Sequence, residues 1–401
     1  MNTTARYVFL IIGIVISLHW ILSFTHESYG KATSLESIAA HFRGGTAAQT
    51  HPVPDEYLEV IKDGKLETDR RANATFVVLA RNSDLENTVR SIRRMEDRFN
   101  VIHRYPYVIL NEEPFSEEFK QRVSNVIGSS VEFGQIPREH WYQPDSIDEE
   151  KAKASRKKME EENIIYGGEY THVDRMDTRL MYLPTGSLSY RNMCRFNSGF
   201  FFRHPLMLKY RWYWRIEPDV HYHCDVNFDP FLFMEDHNKI YGFTIAMYEF
   251  EKTIPTLWQH VRDFMKLHPE YISEDNAMGF MSDNGGEKYN LCHFWSNFEI
   301  ADMNFWRGEA YTAFFEYLDK QGGFYYERWG DAPVHSIAAA LFAKKEQIHF
   351  FDEIGYEHNP YTHCPSNEEA WKRGKCGCDR KKSFDYDGYS CLKKWDRLME
   401  G

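Results

Sequence analysis

The stretch Tyr213 to Asp225 reads YWRIEPDVHYHCD, an aromatic-rich run leading straight into two carboxylates split by a proline and then two histidines. Residues of these types hold a metal, exchange protons, or simply end a strand in solvent. Apolar and aromatic residues dominate Tyr210 to Ile216, which reads as a strand in a sheet interior. Pro218 cannot donate a ladder hydrogen bond, so the strand is predicted to end there. Glu217 and Asp219 then stand at a carboxyl-terminal strand edge, where open α/β sheets place their ligands. Two hard oxygen donors there, with Arg215 beside them, suit Mg2+ or Mn2+ bridging a diphosphate. The rival reading is a hydrolytic zinc site in which His221 and His223, on one strand face, join Glu217 or Asp219. Such a site wants three protein ligands and an open position, and no HExxH-type signature supports it.

The elements that must position these residues are legible upstream. In ATFVVLARNSDLENTVRSIRRMEDRF, Phe76 to Ala80 suits a buried parallel strand. Ser83 and Glu86 then have capping-box spacing, and Leu85, Val89, Ile92, Met95 and Phe99 recur at helical intervals. The unit repeats as a strand ending at Leu110, a polar turn, and a helix with Phe119, Val123 and Val126 on one face; VEFGQIP supplies a third strand. Strands alternating with helices imply a parallel sheet with right-handed crossovers. Neither GxGxxG nor GxxxxGK[ST] is present, which removes the dinucleotide and P-loop readings. Asp145 to Asn163 reads as a solvated surface helix.

The chain has 401 residues with 42% hydrophobic and 16% aromatic content, ample for a large core. A formal net charge of −12 argues against a nucleic-acid partner. Tyr7 to Phe24 carries no Asp, Glu, Lys or Arg and is long enough to span a bilayer. It is longer than a usual signal-peptide core, and no small-x-small cleavage site follows, so it reads as an uncleaved signal anchor. Residues 1–6 are then a cytoplasmic tail, 7–24 the membrane span, 25–60 a polar lumenal stem and 61–401 the folded lumenal domain. All seven cysteines follow the span, where disulfides persist. Cys364, Cys376, Cys378 and Cys391 lack the paired C-x2-C spacing of a zinc ribbon, so disulfides that staple the C-terminal tail are expected. An odd count leaves one free thiol or an intermolecular bridge. Asn73-Ala74-Thr75 is a lumenal glycosylation sequon.

Taken together, RFNSGFFFRHP, YWRIEPDVHYHCD, CHFWSNFEIADMNFWRGEAY, FYYERWGDAPVHSIAAALF and IGYEHNPYTHCP resemble the fungal Golgi α-1,2-mannosyltransferases of glycosyltransferase family 15. The resemblance runs from about residue 70 to the C-terminus. It implies a GT-A-type, Rossmann-like α/β domain with a mixed central sheet behind a type II anchor in the Golgi membrane. It further implies a GDP-mannose donor, a mannosylated glycoprotein acceptor, Mn2+ as cofactor and retention of the α configuration. Carried onto this sequence, EPD replaces the usual DxD motif, with Glu217 and His358 as metal ligands and Asp219 as a neighbour of the metal. Tyr190 matches an active-site tyrosine, Asp331 an active-site carboxylate, and Glu299 the nucleophile candidate. Arg81 and Asp84, after the first strand, lie where GT-A folds bind the nucleotide base.

Several of these positions have plainer readings. Asp331 precedes Ala332-Pro333 and an apolar run, so it also reads as a helix N-cap, and Asp84 also serves to cap the helix that follows it. Glu299 sits in an aromatic segment, where a carboxylate needs a partner or a purpose; a structural salt bridge and a hydrogen bond to acceptor hydroxyls stay open beside covalent attack. A lumenal mannan-binding lectin or inactive scaffold is the alternative function, and the joint presence of EPD, Glu299 and His358 speaks against it.

Overall fold

The computed structural model describes Val53, a short strand pair at 61–62 and 65–66, residues 70–164 and residues 187–400. The apolar segment 7–24 lies outside the described residues, among which no helix is long and apolar enough to cross a membrane. Val53, inside the segment read as stem, is buried, and its N–H donates to Glu353 at 2.8 Å.

The first half alternates strands and helices. β1 (Ala74–Leu79) leads into α1 (Leu85–Met95), β2 (Tyr107–Asn111) into α2 (Glu117–Val126), and β3 (Val131–Gln135) follows. The expected Ser83–Glu86 capping box does not form. A tight turn at Asn82–Asp84 precedes α1, and the Asp84 carboxylate accepts the Arg81 N–H at 2.9 Å, so Asp84 takes the local capping role. Elsewhere hydroxyl caps hold: Ser116 starts α2, and Ser187 starts α4 (Leu188–Gly199) by accepting the Tyr190 N–H. The charged segment forms α3 (Glu149–Glu161), with Ala152 and Met159 its buried residues.

β4 (Trp212–Ile216) is buried along its whole length and ends two residues before Pro218, as its ladder chemistry requires. β5 (Val220–Tyr222), β6 (Tyr241–Phe243), β7 (Ala246–Tyr248), β8 (Cys292–Phe294), β9 (Ile300–Asp302), α5 (Asp331–Phe342), β10 (Ile348–Phe350), β11 (Tyr356–His358) and β12 (Tyr361–His363) complete the scaffold. The main sheet is seven-stranded with order β10-β6-β9-β4-β1-β2-β3. β1 is parallel to β2 and β4, whereas β9 runs antiparallel between β4 and β6, which makes the sheet mixed. Alternate residues of one strand feed opposite layers: Val77 packs into one core and Phe76 and Val78 into the other. A second, three-stranded sheet, β12-β11-β5, sets His358 of β11 opposite Val220 of β5.

Three disulfides stitch the C-terminal region. Cys364–Cys378 closes within it, while Cys224–Cys376 and Cys292–Cys391 reach back 152 and 99 residues into the body. All four C-terminal cysteines are therefore paired, but most of the stapling is to the catalytic core rather than within the tail. Cys194 is the free thiol.

Candidate active site

β4 delivers the central group. Its Arg215 is buried and forms two ion pairs, from Nε to Glu217 Oε1 and from Nη1 to Asp331 Oδ2, each at 2.6 Å. Arg215 thereby ties the strand end to the start of α5. Asp331 is not the N-cap expected of it: Gly330 occupies that position, and Asp331 is the first helical residue, turned inward to Arg215 and to the Ser296 hydroxyl at 2.8 Å. The pull of a buried guanidinium outcompetes a backbone cap here. Burial alone would raise the Asp331 carboxyl, but Arg215, His335 and Ser296 outweigh it and hold it below the usual range.

Beyond Glu217, the chain turns sharply at Asp219, whose φ of 66° is a left-handed conformation that Asp tolerates better than most residues. The turn lets β5 run beside β11 and brings His358 into the electrostatic reach of Glu217 and Asp219. Desolvation dominates there and lowers the His358 imidazole from its ordinary value, favouring the neutral ring that a metal needs. Asp219 itself is half exposed and paired with Arg90 at 3.0 Å.

The other histidine–carboxylate groupings are not gathered around Glu217. His223 Nε2 meets Glu357 at 2.8 Å, and the His221 and His223 rings stack on each other. Among the described residues, the group of three such side chains with ligand atoms within 4.8 Å of one another is Asp352, His363 and Asp385, all buried. The zinc arrangement of Glu217, His221 and His223 is therefore not assembled.

Glu299 occupies a hydrogen-bonded cage at the sheet edge. It is fully buried, accepts from Tyr213 at 2.9 Å and Tyr241 at 3.0 Å, and meets His335 Nδ1 at 2.7 Å. His335 Nε2 faces the Asn197 carbonyl at 3.1 Å, so both ring nitrogens face acceptors. Trp306 stacks on His335 and donates to the Tyr213 hydroxyl, locking the cage. Glu299 nevertheless lines a cavity with Arg215, Asn197 and Leu79, next to the strand edge. Of the cage, sequence reasoning reaches Glu299 but not the partners Tyr213, Tyr241, His335 and Trp306. The available signal was Asp331 and His335 at i,i+4 spacing, which puts both on one face of an otherwise apolar helix.

The remaining candidates form the rim. Tyr190, in the first turn of α4, is half-buried with the Arg328 guanidinium 5.9 Å from its ring centroid. Cys194, one turn further on, lies against Tyr190 and Asp331, and desolvation pushes its thiol up to about 12. Arg81 is exposed, pairs with Glu112 at 3.4 Å and contacts Ser189 beside Tyr190. Asn73 lies apart from this group at the surface; its amide donates to the Lys209 carbonyl at 2.9 Å, and Thr75 of the same sequon is buried.

The sequence profile of the family described as "Glycolipid 2-alpha-mannosyltransferase" matches residues 44–400. The chain belongs to this family. Among its relatives, glycolipid 2-alpha-mannosyltransferase 2 of Candida albicans is 52% identical over 82% of this chain and 68% of its own length. Alpha-1,2 mannosyltransferase KTR1 of Saccharomyces cerevisiae is 48% identical over 90% of this chain and 89% of its own length. Two solved structures share the architecture: the mannosyltransferase Ktr4p of S. cerevisiae in complex with GDP (TM-score 0.74, 39% identity, 86% of this chain and 88% of that one) and core-mannan synthase A of Aspergillus fumigatus in an Mn/GDP form (TM-score 0.73, 36% identity, 88% and 92%). Membership makes this family 15 chain a glycosyltransferase with an α/β fold and mixed sheet, and decides against the lectin and zinc-hydrolase readings.

Proposed function

We propose that this chain is a retaining α-1,2-mannosyltransferase that moves mannose from GDP-mannose to mannose-terminated O-linked or N-linked glycans of glycoproteins. The observation that carries the reading is Glu217, just past the end of β4, within electrostatic reach of His358 on β11 and paired to Arg215, which also holds Asp331. One hard carboxylate and one neutral imidazole fit Mn2+, which tolerates mixed oxygen and nitrogen donors. When bound, the ion supplies charge stabilisation to the departing diphosphate. Arg215 holds the Glu217 carboxylate in place, Asp219 borders the same edge, and Arg81 and Asp84, after the first strand, are the residues assigned to the nucleotide base.

Glu299 acts in this scheme as a fixed negative charge rather than a nucleophile. Its two oxygens already serve Tyr213, Tyr241 and His335, and each of these hydrogen bonds draws off the electron density that attack requires. A carboxylate so held steadies positive charge developing on the sugar while the acceptor enters on the face that GDP leaves. Asp331 anchors the Arg215 guanidinium that holds Glu217. In the same reading the chain is a single-pass type II protein of the Golgi membrane with its catalytic domain lumenal, anchored by the apolar segment 7–24; three disulfides support an oxidising lumen.

Incubating the purified chain with GDP-mannose, Mn2+ and methyl-α-mannoside tests this directly. The expected products are GDP and an α-1,2-linked dimannoside, lost on chelation and restored by Mn2+. Binding of mannoside without turnover would defeat the reading.

A further inference from the structure

β5 is three residues long and pairs with β11 on one side; among the described residues no strand pairs with its other side. A bare edge leaves backbone groups in need of partners. Here α1 supplies them. The buried Ser91 hydroxyl accepts the Val220 N–H at 2.9 Å, and Arg94 Nη1 donates to the Val220 carbonyl at 2.7 Å. One residue earlier, the Asn87 carbonyl accepts the Asp219 N–H at 3.4 Å and Arg90 pairs with the Asp219 carboxylate. Residues 87, 90, 91 and 94 recur at i, i+3, i+4 and i+7, so all four stand on one face of α1. The turn that continues α1, Glu96–Asn100, holds the chain beyond β5: Arg98 pairs with Asp225 at 2.6 Å, and its carbonyl accepts the Val226 N–H at 3.0 Å.

This grip falls where both candidate metal ligands depend on it. Val220 follows Glu217 by three residues and is the register partner of His358. Between them Asp219 keeps its left-handed backbone, a conformation that persists only where the surroundings hold it. The β5–β11 ladder is a short anchor, joining Val220, His221 and Tyr222 to His358, Glu357 and Tyr356 and no further. We propose that Ser91 and Arg94 are positioning residues: by engaging both backbone groups of Val220 they fix the Asp219–Val220 turn and so set Glu217 against His358 for a divalent metal. This rests on the reading of Glu217 and His358 as metal ligands made above.

The test is Mn2+ affinity, read by electron paramagnetic resonance on the full chain with saturating GDP and without acceptor, so that it does not depend on turnover. Ser91→Ala and Arg94→Met each remove one of the two bonds and are expected to weaken Mn2+ binding about 10-fold, the lower end of what loss of a support around metal ligands costs. Arg94→Lys keeps a donor for the single bond that is made and should bind Mn2+ within about threefold of wild type. Ile348→Val, buried on β10 at the far edge of the main sheet, should lower the melting temperature yet leave Mn2+ affinity within about twofold. Wild-type affinity in either Ser91→Ala or Arg94→Met would overturn the proposal, as would Arg94→Lys binding no better than Arg94→Met. So would a loss in Ile348→Val equal to theirs, because binding would then follow stability. If one of Ser91→Ala and Arg94→Met does not fold, the other decides alone. A wild-type chain that binds no Mn2+ removes the metal reading and this proposal with it, a result distinct from variants that bind normally.

Discussion

His358 and His363 sit on the two strands of one hairpin, β11 and β12, and both have carboxylates for neighbours, yet they do opposite things. His363 is fully buried; its Nδ1 faces both Asp385 oxygens at 2.9 and 3.0 Å, and its Nε2 the Asp352 carbonyl at 3.0 Å. The Asp352 carboxylate is itself occupied by the N–H groups of Ser366 and Asn367. Burial works against the charge, but the two aspartates outweigh it and raise His363 to about 9. Both ring nitrogens of His363 are thus already engaged by protein acceptors. His358 is instead only half-buried, shifted toward its neutral form, and has one nitrogen uncommitted. Proximity of ligand-type residues thus does not define a metal site; what each donor atom already faces does.

The hardest blow to this contrast comes at Glu217. Glu217→Gln keeps the shape and the hydrogen bond to Arg215 while removing the ligand charge, and turnover is expected to fall on the order of 1000-fold with the fold intact. Near-normal, Mn2+-dependent turnover in that variant would place the metal elsewhere.

The cage gives the next largest effect. Glu299→Gln should reduce turnover about 100-fold while GDP affinity changes little, because its charge is needed when the sugar becomes positive and not before. Intact-mass measurement with a slow fluorinated donor is expected to show no mannosyl adduct on the wild type. An adduct at Glu299 would mean that the carboxylate sheds its donors during the reaction, and that the cage does not hold as the His363 cluster does.

At His363 the effect is on stability alone. Because its folded value of about 9 stands above the ordinary 6.5, its contribution is fully present below pH 6.5 and disappears as pH rises through about 9. That contribution is on the order of 3 kcal/mol. His363→Gln should lose it at neutral pH, with Mn2+ affinity unchanged, and the difference in melting temperature from wild type should shrink toward pH 10. A constant difference across that range would show that His363 folds neutral and that the cluster is held by packing.

How much of this was readable in advance follows from how local each feature is. Strand–helix alternation, the end of β4 at Pro218 and the carboxylates beyond it depend on neighbours in sequence, and they stand where periodicity and ladder chemistry put them. Asp331 misled because its local signal, a cap before Ala-Pro, competed with an arginine that sequence cannot place; the tertiary ion pair won. The Glu299 cage joins strands and a helix brought together by β9 slotting antiparallel between β4 and β6, a topology with no local signature. The same holds for Cys224–Cys376 and Cys292–Cys391, whose partners lie far apart in the chain.

Asp219 offers the finest test of the contrast because it carries the right chemistry in the right tripeptide and yet is expected to matter least. Its carboxylate is spent on Arg90, an exposed pair worth no more than about 1 kcal/mol, so it is cheap to free. Asp219→Asn should therefore leave Mn2+ affinity within about threefold of wild type, since the remaining Glu217–His358 pair still supplies the charged and the neutral donor. A small rise in the KM for GDP-mannose is expected from the altered turn, whose left-handed backbone asparagine also accepts. A loss of Mn2+ affinity in Asp219→Asn equal to that in Glu217→Gln would mean that Asp219 swings from Arg90 to the ion. The open site would then have three protein donors rather than two, and the difference between the two ends of the hairpin would lie in mobility and not in which atoms are already engaged.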